Sequence, residues 1–296
     1  MRLRSIIKLF APPIVMEGFY ALREKFAKVE ESPLPQIEHS SKEFIVVGNG
    51  PSLKKSIAKY KDAIVGKDMV VVNGFASTDL YKILKPNIYM MTDPVFYNLQ
   101  EDKKETMLSI INDICEKTTW PLHVILHSSA KDKPIVALLL RNKYIKIDFF
   151  LSGSYVTNKK ISKYESWDKN LCAPCGQTVL NTAVYLALFW NYKEIYLLGA
   201  DASFFEDIRI DQETNEIWTV DSHFYDNNRI YKDKGLFDKM KGRLRDDITL
   251  HELIYRYGRM FESYYTLADY ARYKGANVYN ASEYSWINVF ERKKLQ

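Results

Sequence analysis

Group-transfer chemistry needs a side chain that titrates near neutrality and a place to hold an anion. Histidine is the natural candidate for the first. The chain holds five: His39, His123, His127, His223 and His251. His223 lies in the polar run Asp221-Ser222-His223-Phe224-Tyr225-Asp226 and is the preferred general base, with Tyr225 beside it. His127 ends an apolar run, and His251 sits among Leu250, Leu253 and Ile254. Both stay open as alternatives, although the setting of His251 reads first as the buried face of a helix. His123, inside an apolar run, reads as structural. The place for an anion is Gly48-Asn49-Gly50-Pro51-Ser52-Leu53, directly after Val46-Val47. Glycines let backbone approach a ligand, and a helix opening there offers free N–H groups. Asn49 and Ser52 add side-chain hydrogen bonds. The loop lacks the third glycine of a dinucleotide fingerprint and the Gly-Lys-Ser/Thr of a Walker loop. Alone it says nucleotide or phosphate, or else a tight turn with a capping serine.

Such residues need elements to position them. Phe44–Val47, Met69–Asn73, Ile88–Asp93, Leu122–Leu126 and Glu194–Asp201 are short apolar runs rich in β-formers, as buried parallel strands are. Helical stretches fall between them, around 53–62 and 101–117, and from Gln177 to Trp190 with Thr178 near the start. Helix returns at 250–273, and Asn277–Asn280 is a last short strand. This alternation predicts an α/β fold, Rossmann-like, with a mostly parallel sheet. Open sheets of that kind bind ligands beyond the carboxyl ends of their strands. Asn73, Thr92, Asp93, Gly199 and Asp201 all stand at such ends. Helix capping is the plain alternative for each, and it suits Asp93 before Pro94 well. Residues 202–250 break the alternation and read as a long irregular, lid-like insert. Arg243, Arg245, Arg256 and Arg259 fall near the rim of the cleft and could meet a carboxylate or phosphate. A solvated helix face is the default for them.

The 296 residues allow a sizeable core. Residues 1–41 form a basic amphipathic segment plus the linker Glu30–Pro35, and 42–296 form the folded domain. Within residues 1–28, six basic residues stand against Glu17 and Glu24, leaving +4 of the chain's net +5. With the rest near neutral, a nucleic-acid binder is disfavoured. The apolar stretch of the first 16 residues is too short to span a bilayer and carries Lys8, Pro12 and Pro13. It suits the surface of an anionic membrane, or an amphipathic helix packed on the domain. Three cysteines, Cys115, Cys172 and Cys175, make no disulfide framework and fit a cytoplasmic protein. Cys172-Ala173-Pro174-Cys175 is a CxxC sequence in mid-chain, away from a thioredoxin-like start.

Taken together, Gly48–Leu53, Asn73, Thr92 and above all Tyr192-Lys193-Glu194-Ile195-Tyr196-Leu197-Leu198-Gly199-Ala200-Asp201 resemble the bacterial CMP-sialic acid-dependent sialyltransferases of lipooligosaccharide, family 42-like. Ser222-His223-Phe224 resembles a Ser-His-Tyr segment of those enzymes. The opening motif also occurs in a wider group related to archaeal MptE-like pterin diphosphokinases. The resemblance implies a GT-A-variant fold lacking the usual Asp-x-Asp and an inverting transfer that needs no metal or other cofactor. The donor would be CMP-sialic acid, or another CMP-activated acid such as Kdo, and the acceptor a hydroxyl of a surface glycan. Gly48, Asn49, Gly50, Pro51, Ser52, Asn73, Thr92, Asp93, Thr178, Gly199 and Asp201 would line the donor site. His223 would be the base. Where the family has phosphate-binding tyrosines this chain has Ser203, Phe204 and Phe205, so stabilising the leaving group falls to Tyr225. The work would be done at the inner face of the cytoplasmic membrane, held there by the N-terminal segment. A homo-oligomer is compatible with this reading. The alternatives are a diphosphokinase using ATP and Mg²⁺, with Asp93 and Asp201 as ligands, or a nucleotide-binding module without catalysis.

Overall fold

The computed structural model describes residues 34, 37–99, 104–150, 163–170, 173–174, 177–206, 208–219, 232–233, 236–238, 243–245 and 249–295, with backbone alone between 232 and 245. Its strands are β1 (Glu43–Val47), β2 (Asp68–Val72), β3 (Ile88–Met91), β4 (Leu122–His127), β5 (Ile145–Phe150), β6 (Glu194–Leu198), β7 (Arg209–Ile210), β8 (Ile217–Thr219), β9 (Lys232–Asp233), β10 (Leu236–Asp238), β11 (Arg243–Arg245), β12 (Asn277–Asn280) and β13 (Glu291–Arg292). Its helices are α1 (Leu53–Ile64), α2 (Leu80–Leu84), α3 (Pro94–Asn98), α4 (Lys104–Lys117), α5 (Pro134–Leu139), α6 (Lys163–Asp168), α7 (Val179–Phe189) and α8 (Leu250–Lys274).

Eight strands form one sheet in the order β13-β12-β6-β1-β2-β3-β4-β5. Every pairing within it is parallel. Alternate residues of each strand feed two cores. Phe44, Val46, Val70, Val72, Ile88 and Met90 pack under α7 and α8. Ile45, Val47, Met69, Val71, Tyr89 and Met91 pack under α1 to α5. This is why the strands read as continuous apolar runs: both faces are covered. α7 is apolar around its whole circumference, with nine buried residues out of 11, because it lies between the sheet and α8. Each of its buried aliphatic side chains contributes about 2 kcal/mol. α1 instead carries one stripe, Leu53, Ile57, Tyr60 and Ile64, and leaves its lysines in water.

The chain runs outward from β1 to β5, then crosses back so that β6, β12 and β13 build the other half. The direction reverses between β1 and β6. Crossover helices run antiparallel to the strands they feed, so α1 and α7 both present their N-termini at the carboxyl edge. α7 opens with a capping box: the Thr178 hydroxyl accepts from Asn181 N–H (3.4 Å) while Thr178 N–H donates to Asn181 Oδ1 (3.1 Å).

At the opposite edge, buried Asp68 accepts from Ser41 N–H (3.1 Å), Asn87 Nδ2 (3.0 Å), Tyr192 OH (2.7 Å) and both the N–H and hydroxyl of Ser40. These donors offset the cost of burying the charge. They also draw in the segment ahead of β1. Leu34 is buried in the core and His39 stacks on Tyr192 at 4.1 Å, so the expected linker is partly packed.

Two expectations are corrected, and β5 and β13 add strands that the apolar runs do not mark. β5 was not foreseen, because Tyr144-Ile145-Lys146-Ile147-Asp148 alternates polar and apolar as an edge strand does. The stretch 202–250 is not wholly irregular: β7, β8 and β9 form an antiparallel sheet and β10 pairs with β11. His251 is exposed at the first turn of α8, with Nδ1 3.0 Å from Thr249 Oγ1, rather than buried on a helix face. Among the described residues no helix is long and apolar enough to cross a membrane. The N-terminal segment lies outside them.

Candidate functional site at the crevice between β1 and β6

Beyond their last residues β1 and β6 stay side by side. Gly48 N–H donates to Leu198 O at 2.8 Å and Gly50 N–H to Gly199 O at 2.9 Å. A Cβ on Gly48 would stand 2.5 Å from Gly199 O and 2.9 Å from Leu180 of α7. Gly199 has φ +60, and a Cβ there would meet Leu53 at 2.7 Å. These two glycines bring two loops and two helix N-termini into one place, at the point where strand order reverses.

Asp201 fixes the next step. Its carboxylate accepts Ser52 N–H at 2.8 Å and Ser52 Oγ–H at 2.6 Å. Both residues are buried. Burial raises the Asp201 pKa and the two Ser52 bonds partly oppose that. Ser52 and Asp201 therefore clamp the loop to the start of α1. Both are expected to contact a ligand, and in the folded chain each also satisfies the other. Pro51 beside them is exposed and has no N–H to give.

The groups left over are amides. Asn49 is buried and donates Nδ2 to Val72 O at 2.9 Å, while its Oδ1 has no hydrogen-bond partner among the described residues. Asn73 stands at φ 53 at the end of β2. Tyr89 of β3 holds that turn, donating its hydroxyl to Asn73 O and accepting from Ala76 N–H (3.0 Å). Asn73 Oδ1 is likewise buried and unpartnered there. In the first turn of α7, Asn181 Nδ2 is a third such atom. A buried amide oxygen without a donor costs about 1–3 kcal/mol. Two at neighbouring strand ends suit a ligand with hydroxyl or amino groups.

The remaining predicted residues divide. Thr92 is half-buried at the end of β3. Asp93 is exposed and caps α3, accepting from Val95 N–H at 3.0 Å, as its alternative reading had it. Thr178 is engaged in the α7 capping box. His223 and Tyr225 lie outside the described residues, as do the side chains of Arg243 and Arg245. Arg256 and Arg259 lie on α8, Arg259 exposed and Arg256 half-buried. His127 closes β4, with Nδ1 2.7 Å from Ser129 Oγ, which donates to Tyr97 OH at 3.0 Å. β4 is three strands from β1, about 14 Å at the usual strand spacing, so His127 stands well away from the glycine loop. His123 pairs with Asp148 on the outer strand. Its pKa is lowered, mainly by burial, with Asp148 opposing.

One group escaped the sequence reading: the loop after β12. Ser285 Oγ donates to Ala200 O at 2.6 Å and Trp286 N–H to Asp201 O at 2.9 Å. This lays Tyr284 and Trp286 against the rim beside Glu206. The signal that could have found them is position. Ser282–Trp286 stand just past the carboxyl end of the strand Asn277–Asn280, the same kind of place that marked Gly48–Ser52.

A doubly wound, all-parallel α/β sheet with polar residues gathered at its switch point defines a Rossmann-like fold. The chain matches the family model described as 6-hydroxymethylpterin diphosphokinase MptE-like over residues 20–207, and it belongs to that family. Among solved structures it is similar to the MAf glycosyltransferase from Magnetospirillum magneticum AMB-1, at TM-score 0.50 and 16% identity. The match covers 94% of this chain and 38% of that one, so this chain spans little more than a third of its neighbour's length. At that identity the likeness shows a shared fold. No curated protein matches. The resemblance to sialyltransferases thus stands at the level of the wider group.

Proposed function

We propose that the chain is a glycosyltransferase that moves sialic acid, or a closely related acid, from its CMP ester to a hydroxyl of a bacterial surface glycan. The observation that carries this reading is the pair of buried amide oxygens, Asn49 Oδ1 after β1 and Asn73 Oδ1 after β2, that have no hydrogen-bond partner among the described residues. They are acceptors, and the hydroxyls and amino group of a cytidine are donors. The fold shared with a glycosyltransferase supports it. The acceptor oxygen attacks the anomeric carbon as the bond to phosphate breaks. The electron pair of that bond leaves with CMP, and the acceptor proton passes to His223. Tyr225 donates to the departing phosphate. No metal takes part in this scheme. The basic N-terminal segment holds the protein on the inner face of the cytoplasmic membrane, where such glycans are built.

The family's name gives a second reading, a diphosphokinase acting with ATP and Mg²⁺. Asp93 and Asp201 were its candidate metal ligands, and both are engaged, one as a helix cap and one with Ser52. That favours transfer. The test is incubation with CMP-sialic acid in excess EDTA, with CMP release measured over time. Release that survives EDTA, and falls at least tenfold in both Asn49→Ala and Asn73→Gly, is expected. Glycine suits the positive φ of residue 73, so that variant removes the amide without straining the turn. Absence of release together with Mg²⁺-dependent AMP formation from ATP would overturn the proposal. His223→Ala should lose most transfer while keeping CMP affinity.

A further inference from the structure

The cluster on the β12 side of the crevice has no part in the proposed donor site. Trp286 and Tyr284 are each 46% exposed. Large aromatic rings so exposed are usually loosely held. Here one carboxylate oxygen holds both heads: Glu206 Oε1 accepts Trp286 Nε1–H at 2.5 Å and the Tyr284 hydroxyl, and Trp286 Nε1 lies 2.9 Å from the Tyr284 oxygen. The hydrogen bond to Glu206 raises the Tyr284 pKa, so the tyrosine stays a neutral donor. Phe205 and Trp286 meet in a T-shaped contact with centroids 4.7 Å apart, and Phe261 backs Phe205 at 6.0 Å. The backbone is tied as well. Ser52 Oγ approaches Tyr284 O at 3.4 Å, and Ser285 and Trp286 bond to Ala200 and Asp201. Two half-exposed aromatic rings are thus held in fixed places next to Gly199–Asp201, beside a carboxylate whose Oε2 no described residue takes.

We infer that Tyr284, Trp286, Phe205 and Glu206 form a saccharide-binding platform that seats the acceptor glycan. A pyranose ring has an apolar C–H face that stacks on an aromatic ring, and equatorial hydroxyls that donate to a carboxylate. Fixed orientation lowers the entropy lost on binding. A nucleobase is the competing occupant of any aromatic face. The unpartnered amides that suit a nucleoside lie on the other side, over β1 and β2, which leaves the platform over β6 and β12 for the second substrate. The placement as acceptor seat rests on the transfer reading; the affinity for sugar does not.

The two are separated by direct binding to the full chain. The indole N–H resonances of the five tryptophans are monitored by ¹H–¹⁵N NMR, with Trp286 assigned through Trp286→Phe. Lactose and the methyl glycosides of galactose, glucose and N-acetylglucosamine are titrated to high millimolar, with and without CMP. The expected result is a saturable shift of the Trp286 signal with at least one sugar. Glu206→Gln should weaken it about fivefold and Trp286→Ala at least tenfold, read in the second case by sugar-observed saturation transfer. CMP affinity should stay within twofold in both. Trp286→Phe keeps a ring and should retain part of the sugar affinity, which a folding defect would not. No shift with any of these sugars while CMP binds overturns the platform and leaves the transfer reading standing. A Trp286 response to CMP alone overturns it in favour of a nucleobase. Sugar binding without CMP binding keeps the platform and removes the donor reading.

Discussion

Asp201→Ala removes the acceptor for two donors of Ser52 at the start of α1, in a place where both residues are buried. The stranded Ser52 N–H costs about 2 kcal/mol. The hydroxyl costs about 1 kcal/mol, since it can turn toward Tyr284 O at 3.4 Å. The total is a loss of about 3 kcal/mol. Ser52→Ala keeps the N–H bond and loses about 1 kcal/mol. Because the two residues act on each other, the double variant should be less destabilised than the sum, with a coupling of about 1–2 kcal/mol. Asp201→Asn keeps an oxygen for the N–H, and the hydroxyl can rotate to accept from the new amide, so it should cost only about 1 kcal/mol. Urea unfolding monitored by far-UV circular dichroism gives each value. A pH series adds a sign. The folded Asp201 pKa lies above 3.8, chiefly through burial, so the native state binds the proton more readily than the unfolded chain. Stability relative to Asp201→Asn therefore rises as pH falls from the folded pKa toward 3.8 and is flat above it. A loss under about 1 kcal/mol in Asp201→Ala, or simple additivity with Ser52→Ala, would refute the clamp and return Asp201 to the role of a ligand contact.

His123 offers a second pH-dependent check of opposite sense. Its pKa is lowered from 6.5 by burial, so the stability it contributes is complete above 6.5 and is lost as pH falls through the folded value. An NMR titration should place its inflection below 6.5, and Asp148→Asn should lower it further by removing the charge that opposes burial; an inflection above 6.5 contradicts this. Gly48→Ala should destabilise by about 3 kcal/mol, because the new methyl meets a backbone carbonyl that cannot step aside. CMP affinity should fall with it, and near-wild-type melting with intact binding would show that the two loops are not packed as described.

The main elements of the sheet were legible in the sequence because burial on both faces writes itself as an unbroken apolar run. Val46-Val47 and Met69–Val72 could hardly be anything else, and the stripe on α1 has the helical period. β5 was harder to read, since an edge strand with one open face mixes Lys146 and Asp148 into its pattern. The site was half legible. Glycine at 48, 50 and 199 and amide or acid side chains at 49, 73 and 201 marked the place, since strand ends are where an α/β sheet exposes polar groups. Their roles were not legible. Sequence treats Asn49 and Asp201 alike, as polar residues after a strand.

What the sequence determined alone is therefore the class of fold, the parallel sheet and the position of the glycine loop, each of which is written in local composition and period. Tertiary structure decided which polar atoms are spent and which are left. Asp201 meets Ser52 across 149 positions of chain, and Tyr284 and Trp286 reach Glu206 across about 80. The switch between β1 and β6 exists only because the chain crosses back after β5. Such pairings are set by strand order, which no window of sequence contains. They pair Ser52 with Asp201 and leave the buried amide oxygens of Asn49 and Asn73 without a hydrogen-bond partner among the described residues.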